Sequence, residues 1–104
     1  MRDFNIIILL WNEEKKMAKY GRGLNREVVA AVNAGLITEP FSTKDIRKLI
    51  KLKKWKPEPT ENYINVTLAN GTSENHSPTY KKYFLSVGDG QYKLRAQYKG
   101  NEWL

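Results

Sequence analysis

Within residues 44–56 the chain sets seven basic side chains, Lys44, Arg47, Lys48, Lys51, Lys53, Lys54 and Lys56, against one acid, Asp45, so this stretch alone carries +6 of the formal net charge of +7. Charge gathered this tightly attracts polyanions and repels itself within a fold. The chemistry it suits is docking on a phosphate backbone, where each lysine or arginine displaces a condensed counterion. The plainer reading is a solvated helix face, which is what many charge runs are. Reactive constellations are scarce. There is no cysteine and a single histidine, His76, which excludes disulfides, thiolate zinc sites, a cysteine nucleophile and a histidine metal cluster. Glu14-x-Lys16 has the types of a nuclease carboxylate–lysine pair, but no aspartate stands in a matching strand upstream. No glycine-rich phosphate loop occurs, and no serine has a histidine partner at a useful spacing. The expectation is a non-catalytic protein with no cofactor and no metal.

The elements that must position the basic cluster are legible in the pattern around it. Leu24, Val28, Val29 and Val32 recur at helical spacing and predict a first helix over residues 25–34. Asn25 reads as its N-cap, Glu27 as a first-turn acid that favours the helix dipole, and Gly35 as its C′ residue. Tyr20-Gly21-Arg22-Gly23 before it reads as a flexible basic hinge. Residues 36–41 read as extended, because Pro40 biases Glu39 away from helix. Ser42 with Asp45 three positions on approximates a capping box and opens a second helix whose apolar face is Ile46, Leu49 and Ile50. Trp55 packs inward at its end, and Pro57 and Pro59 break the chain. Residues 60–69 fit both a helix, through Ile64 and Leu68, and a strand, through the alternation of Ile64, Val66 and Leu68. Local context favours the helix, since Thr60 is a good N-cap and Glu61 follows it. Ile64 and Leu68 would then face inward, and Asn62, Asn65, Val66 and Ala69 outward. Residues 70–78 read as a polar loop. Residues 83–87 and 91–95 flank Gly88-Asp89-Gly90, the signal of a β-hairpin, with Phe84, Val87, Tyr92 and Leu94 as its buried side.

Helix, extended piece, basic helix, third helix and hairpin, in that order, are the order of a winged helix-turn-helix: an α+β fold of three helices followed by a C-terminal β-hairpin wing. In that architecture the third helix enters the major groove. Leu24-Asn25-Arg26-Glu27-Val28-Val29, Glu39-Pro40-Phe41-Ser42, Asn65-Val66-Thr67-Leu68-Ala69-Asn70-Gly71-Thr72-Ser73-Glu74-Asn75-His76 and the closing Tyr83-Phe84-Leu85-Ser86-Val87-Gly88-Asp89-Gly90-Gln91-Tyr92-Lys93-Leu94 carry a further likeness. Together they resemble the small winged-helix domains that accompany restriction endonucleases. The resemblance covers about residues 23–96. It implies a non-catalytic module that binds double-stranded DNA, often attached to a nuclease. The family's wing commonly reads Val-Gly-Arg-Gly-x-Tyr-x-Leu. Here Asp89 stands between the glycines, which puts a direct phosphate contact by the wing tip in doubt.

Candidate contacts follow. Asn62 and Asn65 on the outer face of the third helix could bond adenine edges, and Thr67 could reach a thymine methyl if the helix rotates slightly. Thr60 at the start of that helix joins them. Ser73, Asn75 and His76 after it could fix the register on phosphates, although serine and asparagine are also ordinary turn formers. Lys81 and Lys82 enter the hairpin and Lys93 and Arg95 leave it. They could neutralise backbone charge or simply protect a strand edge. Lys44, Lys48 and Lys51 on the second helix would lie across the backbone. A protein-interaction module on the same fold is the competing function, since fold does not fix function.

One domain is the natural count at 104 residues. The expected organisation is an N-terminal extension over residues 1–22, the winged-helix domain over 23–98 and a tail over 99–104. The apolar run at residues 6–11 falls well short of the roughly 20 residues a bilayer needs and makes a poor signal peptide. A cytoplasmic protein without membrane contact is expected. Met17-Ala18-Lys19 has the look of a second start, with Glu13-Glu14 encodable by a purine-rich ribosome-binding site, so translation could begin at Met17. The competing reading is that residues 4–11 form a real element that packs on the domain or on a second copy as a homodimer contact. An intact Met1 species by mass spectrometry would exclude the internal start.

Overall fold

The computed structural model describes residues 20–75 and 77–100. The readings of the apolar N-terminal run, the second start, His76 and the last four residues lie outside the described residues. Three helices, α1 (Leu24–Asn33), α2 (Thr43–Lys53) and α3 (Glu61–Asn70), precede two antiparallel strands, β1 (Phe84–Gly88) and β2 (Gln91–Leu94), and a 3₁₀ turn over Ala96–Tyr98. The class is α+β.

Each helix starts and stops for local reasons. Gly23, not Asn25, is the N-cap of α1, with φ 103°, a value that glycine adopts without steric cost. Asn25 therefore falls inside the first turn and turns its side chain into the core. At the other end Gly35 (φ 84°) accepts the left-handed position, while its N–H reaches Val32 O at 3.1 Å and Leu36 N–H reaches Ala31 O at 2.8 Å. These are the two bonds of a Schellman stop. The expected capping box opens α2: Ser42 Oγ accepts from Lys44 N–H at 3.2 Å and the Asp45 carboxylate accepts from Ser42 N–H at 2.9 Å. Lys54, left-handed at φ 58°, closes it. Thr60 caps α3 by accepting from Tyr63 N–H at 3.0 Å, so the ambiguous segment is a helix.

The apolar faces of the three helices meet the inner side of the hairpin. Val28 and Val29 of α1, Ile46 and Ile50 of α2, Ile64 and Leu68 of α3, and Phe84 and Leu94 of the strands are all at most 2% exposed. Burying each such side chain is worth about 1.5–3 kcal/mol. Phe41 is fully buried and exchanges both main-chain hydrogen bonds with Tyr92 at 2.8 Å, which fastens the α1–α2 connection to β2.

The hairpin turns at Asp89 (φ 54°) and Gly90 (φ 71°), the two positive φ values that a two-residue type I′ turn requires. Val87, expected on the buried side, is 49% exposed. Strand alternation places it opposite Phe84, and a register shift between Ser86 and Gly88 leaves it without a cross-strand partner. Tyr20 also departs from the hinge reading. It is 5% exposed and its ring lies 5.6 Å from Trp55 and 5.3 Å from Tyr63. The aromatic contact, not the flexibility of the neighbouring glycines, decides where this segment sits, so the packed unit begins before residue 23.

Among the described residues, no helix is long and apolar enough to cross a membrane.

Candidate nucleic-acid interface

The outer face of α3 is framed at both ends by fixed contacts. At its N-terminus, Arg47 of α2 holds the Glu61 carboxylate with Nη1 at 2.8 and 2.6 Å from its two oxygens, and Lys51 reaches Glu58 at 3.4 Å. At its C-terminus, Gly71 O accepts from Tyr83 N–H at 2.8 Å and from Phe84 N–H at 3.0 Å, which anchors the base of the hairpin. The helix thus contacts the basic helix at its start and the hairpin at its end.

Between these anchors, Asn62, Asn65 and Val66 are exposed on one face of α3, as the helical spacing predicts. Neither asparagine amide is engaged by a hydrogen bond to another described residue. Thr67 departs from expectation. It is only 9% exposed, because it follows Ile64 by three positions and precedes Leu68, and so shares their inward face. It cannot present its methyl to a base without unpacking the core. The exposed apolar group on this face is Val66, 49% exposed.

The basic cluster is less free than its sequence suggests. Arg47 and Lys51 are paired as above, and Lys53 lies 3.3 Å from the buried carboxylate of Glu27. Lys44, Lys48, Lys54 and Lys56 are exposed and form no ion pair with a described residue. Of the candidates near the hairpin, Lys81 and Lys93 are likewise exposed and unpaired among the described residues. Lys82 instead donates from Nζ to Asn70 O at 2.7 Å and Ser77 O at 3.0 Å. Arg95 donates from Nε to Phe84 O and from Nη2 to Thr72 O, both at 3.0 Å, with Glu74 at 3.7 Å. These two cations, expected on phosphate, tie the loop after α3 to the hairpin, because the carbonyls left over at a helix end need donors. Their sequence context gives no sign of this: the acceptors are main-chain oxygens that only the fold assembles.

Ser73 Oγ accepts from Asn75 N–H at 3.2 Å, the local turn chemistry open to short polar residues. The Asn75 side chain is exposed. Thr60 spends its oxygen on the α3 cap, as described above. Asp89 stands exposed at the hairpin tip.

Among the described residues, three ionisations are shifted by packing near this face, those of Glu27, Tyr83 and Tyr80, the last raised chiefly by burial. Burial pushes the Glu27 carboxyl up, but hydrogen bonds from the Arg22 side chain and main chain, the Arg22 charge and the Lys53 hydrogen bond outweigh it, and the net shift is downward. Burial pushes the Tyr83 hydroxyl up, helped by the neighbouring Tyr98 and Tyr80 and opposed by Arg26. Glu27 and Tyr83 are buried and do not belong to the exposed face. Among the described residues no cluster of three or more histidine, aspartate or glutamate side chains could hold a metal ion.

Compared with known proteins, the chain matches no family model, no curated sequence and no solved structure.

Proposed function

We propose that this chain is a winged-helix module that binds double-stranded DNA without catalysing a reaction on it, either as a standalone regulator or as the DNA-reading accessory of a restriction or mobile-element system. The observation that carries this reading is the outer face of α3. Its Asn62 and Asn65 amides are exposed and form no hydrogen bond with a described residue, and the helix touches a lysine-bearing helix at one end and the hairpin at the other. Lys44 and Lys48 of α2 and Lys81 and Lys93 of the hairpin region supply charge for phosphates, while α3 offers hydrogen-bonding groups to base edges in the major groove. Lys51 contributes only if a phosphate competes it away from Glu58. A cytoplasmic location and a nuclease or second copy as partner go with this reading.

Fluorescence anisotropy with random-sequence duplex DNA across a salt series tests it. The expected result is tight binding at low salt that weakens steeply as salt rises. No binding at any salt would overturn it.

A second reading, a protein-interaction module on the same fold, is favoured by one observation. Leu36 and Leu52 are each 61% exposed and line one recess with Ile37 and Leu49. Large apolar side chains gathered at a surface suit a protein contact, and the basic α2 beside them suits an acidic partner.

A further inference from the structure

We infer that α3 selects A·T base pairs through the major groove, with Asn62 and Asn65 bonding adenine and Val66 packing on a thymine methyl. This rests on the DNA-binding reading and adds the class of site that is read. Guanine is recognised chiefly by arginine or lysine reaching O6 and N7, and cytosine by a carboxylate accepting from N4. From Glu61 to Asn70, α3 carries neither lysine nor arginine. The nearest arginine, Arg47, is held by Glu61, and Glu61, the one acid on the helix, is held by Arg47. The groups suited to G·C pairs are therefore absent or occupied. Besides Tyr63, which is 40% exposed and packs its ring against Tyr20, the exposed groups left among the described residues of α3 are two amides and one branched apolar side chain, which complement the N6–H and N7 of adenine and the methyl of thymine.

Spacing supports the assignment. Asn62, Asn65 and Val66 stand at i, i+3 and i+4, on one stripe of the helix. Asn62 and Asn65 are separated by about 4.5 Å along the helix axis, close to the roughly 3.4 Å step between neighbouring bases of a strand. The two amides thus suit neighbouring base pairs, and the site contains at least two adjacent A·T pairs. Asn70, two turns on, is not a third reader, because its side chain accepts from Ser77 Oγ at 3.2 Å.

The test is anisotropy binding to duplexes of equal length and charge whose central base pairs are A·T or G·C. Matched A·T duplexes would carry 7-deazaadenine for adenine or uracil for thymine. The expected preference for the A·T duplex is roughly tenfold or more. The 7-deaza substitution, which removes the major-groove N7 acceptor, should weaken binding several-fold, and uracil should weaken it by less. Asn65→Ala should abolish most of the preference and leave the salt dependence unchanged. Equal binding to both duplexes, with a steep salt dependence, would overturn the inference and leave DNA docking standing. So would an A·T preference that survives 7-deazaadenine, because the reading would then lie in the minor groove. No binding to any duplex would overturn both.

Discussion

The side-chain amide of Asn25 on α1 donates to the main-chain oxygen of Thr67 on α3 at 2.8 Å, with both residues buried. This bond sets the position of the proposed reading helix from behind. Gly71 lies against the same amide: a Cβ built there would sit 2.5 Å from Asn25 Nδ2. Asn25→Ala should cost about 1–2 kcal/mol for the lost buried hydrogen bond. Gly71→Ala should cost about 1–3 kcal/mol, because the bond holds the amide in place and it cannot give way. The two share one volume, so the double variant should be clearly more stable than the sum of the two losses predicts. Denaturant unfolding of the four proteins measures this. Strict additivity would mean that the helix end moves away from Asn25 at no cost.

Glu27 gives the fold a pH dependence. The residue is 4% exposed, and its carboxylate receives Arg22 Nε at 3.0 Å and Lys53 Nζ at 3.3 Å. Its pKa is lower in the folded protein than the ordinary value of 4.5. The unfolded chain therefore binds its proton first as pH falls, and the stabilisation is complete above the unfolded value and lost as pH drops through the folded one. Glu27→Gln should be less stable than the parent by about 1–2 kcal/mol at neutral pH, since both cationic partners are partly solvated. That difference should shrink toward pH 3. Urea unfolding at neutral and acid pH reads it directly, and a difference that does not change with pH would place the stabilising contact elsewhere.

The basic helix α2, the helix α3 that follows it and the hairpin were legible because their signals are local. Ser42 with Asp45 marks a cap, and Asp89-Gly90 marks a turn whose φ values few other pairs tolerate. The outward Asn62 and Asn65 follow from Ile64 and Leu68 by helical geometry alone. The rest depends on long-range contacts. Nothing near Asn25 indicates that it bonds a residue 42 positions away, so capping preference pointed to the wrong role. Lys82 and Arg95 carry the same charge as Lys81 and Lys93, and only the assembled loop carbonyls separate the anchors from the charges left exposed. Thr67 could have been placed inward, since the spacing that buries Ile64 and Leu68 buries the residue between Val66 and Leu68 as well.

That separation of anchors from free charges predicts opposite phenotypes for two neighbouring cations on the hairpin. Lys93 is exposed and unpaired among the described residues, so Lys93→Gln should leave thermal stability unchanged and reduce the salt slope of DNA binding by about one. Arg95 bonds two main-chain oxygens, so Arg95→Gln should cost about 1–3 kcal/mol. That loss lowers the melting temperature by about 4–8 °C per kcal/mol for a domain of this size. Thermal melts and salt titrations of both variants distinguish the roles. An unaltered melting temperature for Arg95→Gln would show that its bonds contribute nothing net.

Asp89 places a negative charge at the hairpin tip, which approaches phosphate if the chain binds DNA as proposed. Asp89→Asn removes the charge and keeps a residue that tolerates the left-handed φ of 54°. It should tighten binding at low salt with little change in stability. Asp89→Arg should go further and steepen the salt slope by about one, because it adds a phosphate contact. It should also cost about 1 kcal/mol of stability, because arginine is less at ease in that conformation. Anisotropy over a salt series, paired with thermal melts, separates the two effects. If neither substitution changes affinity at low salt, the tip lies away from the duplex, and any hairpin contact with phosphate must come from Lys81 or Lys93 at its base and flank.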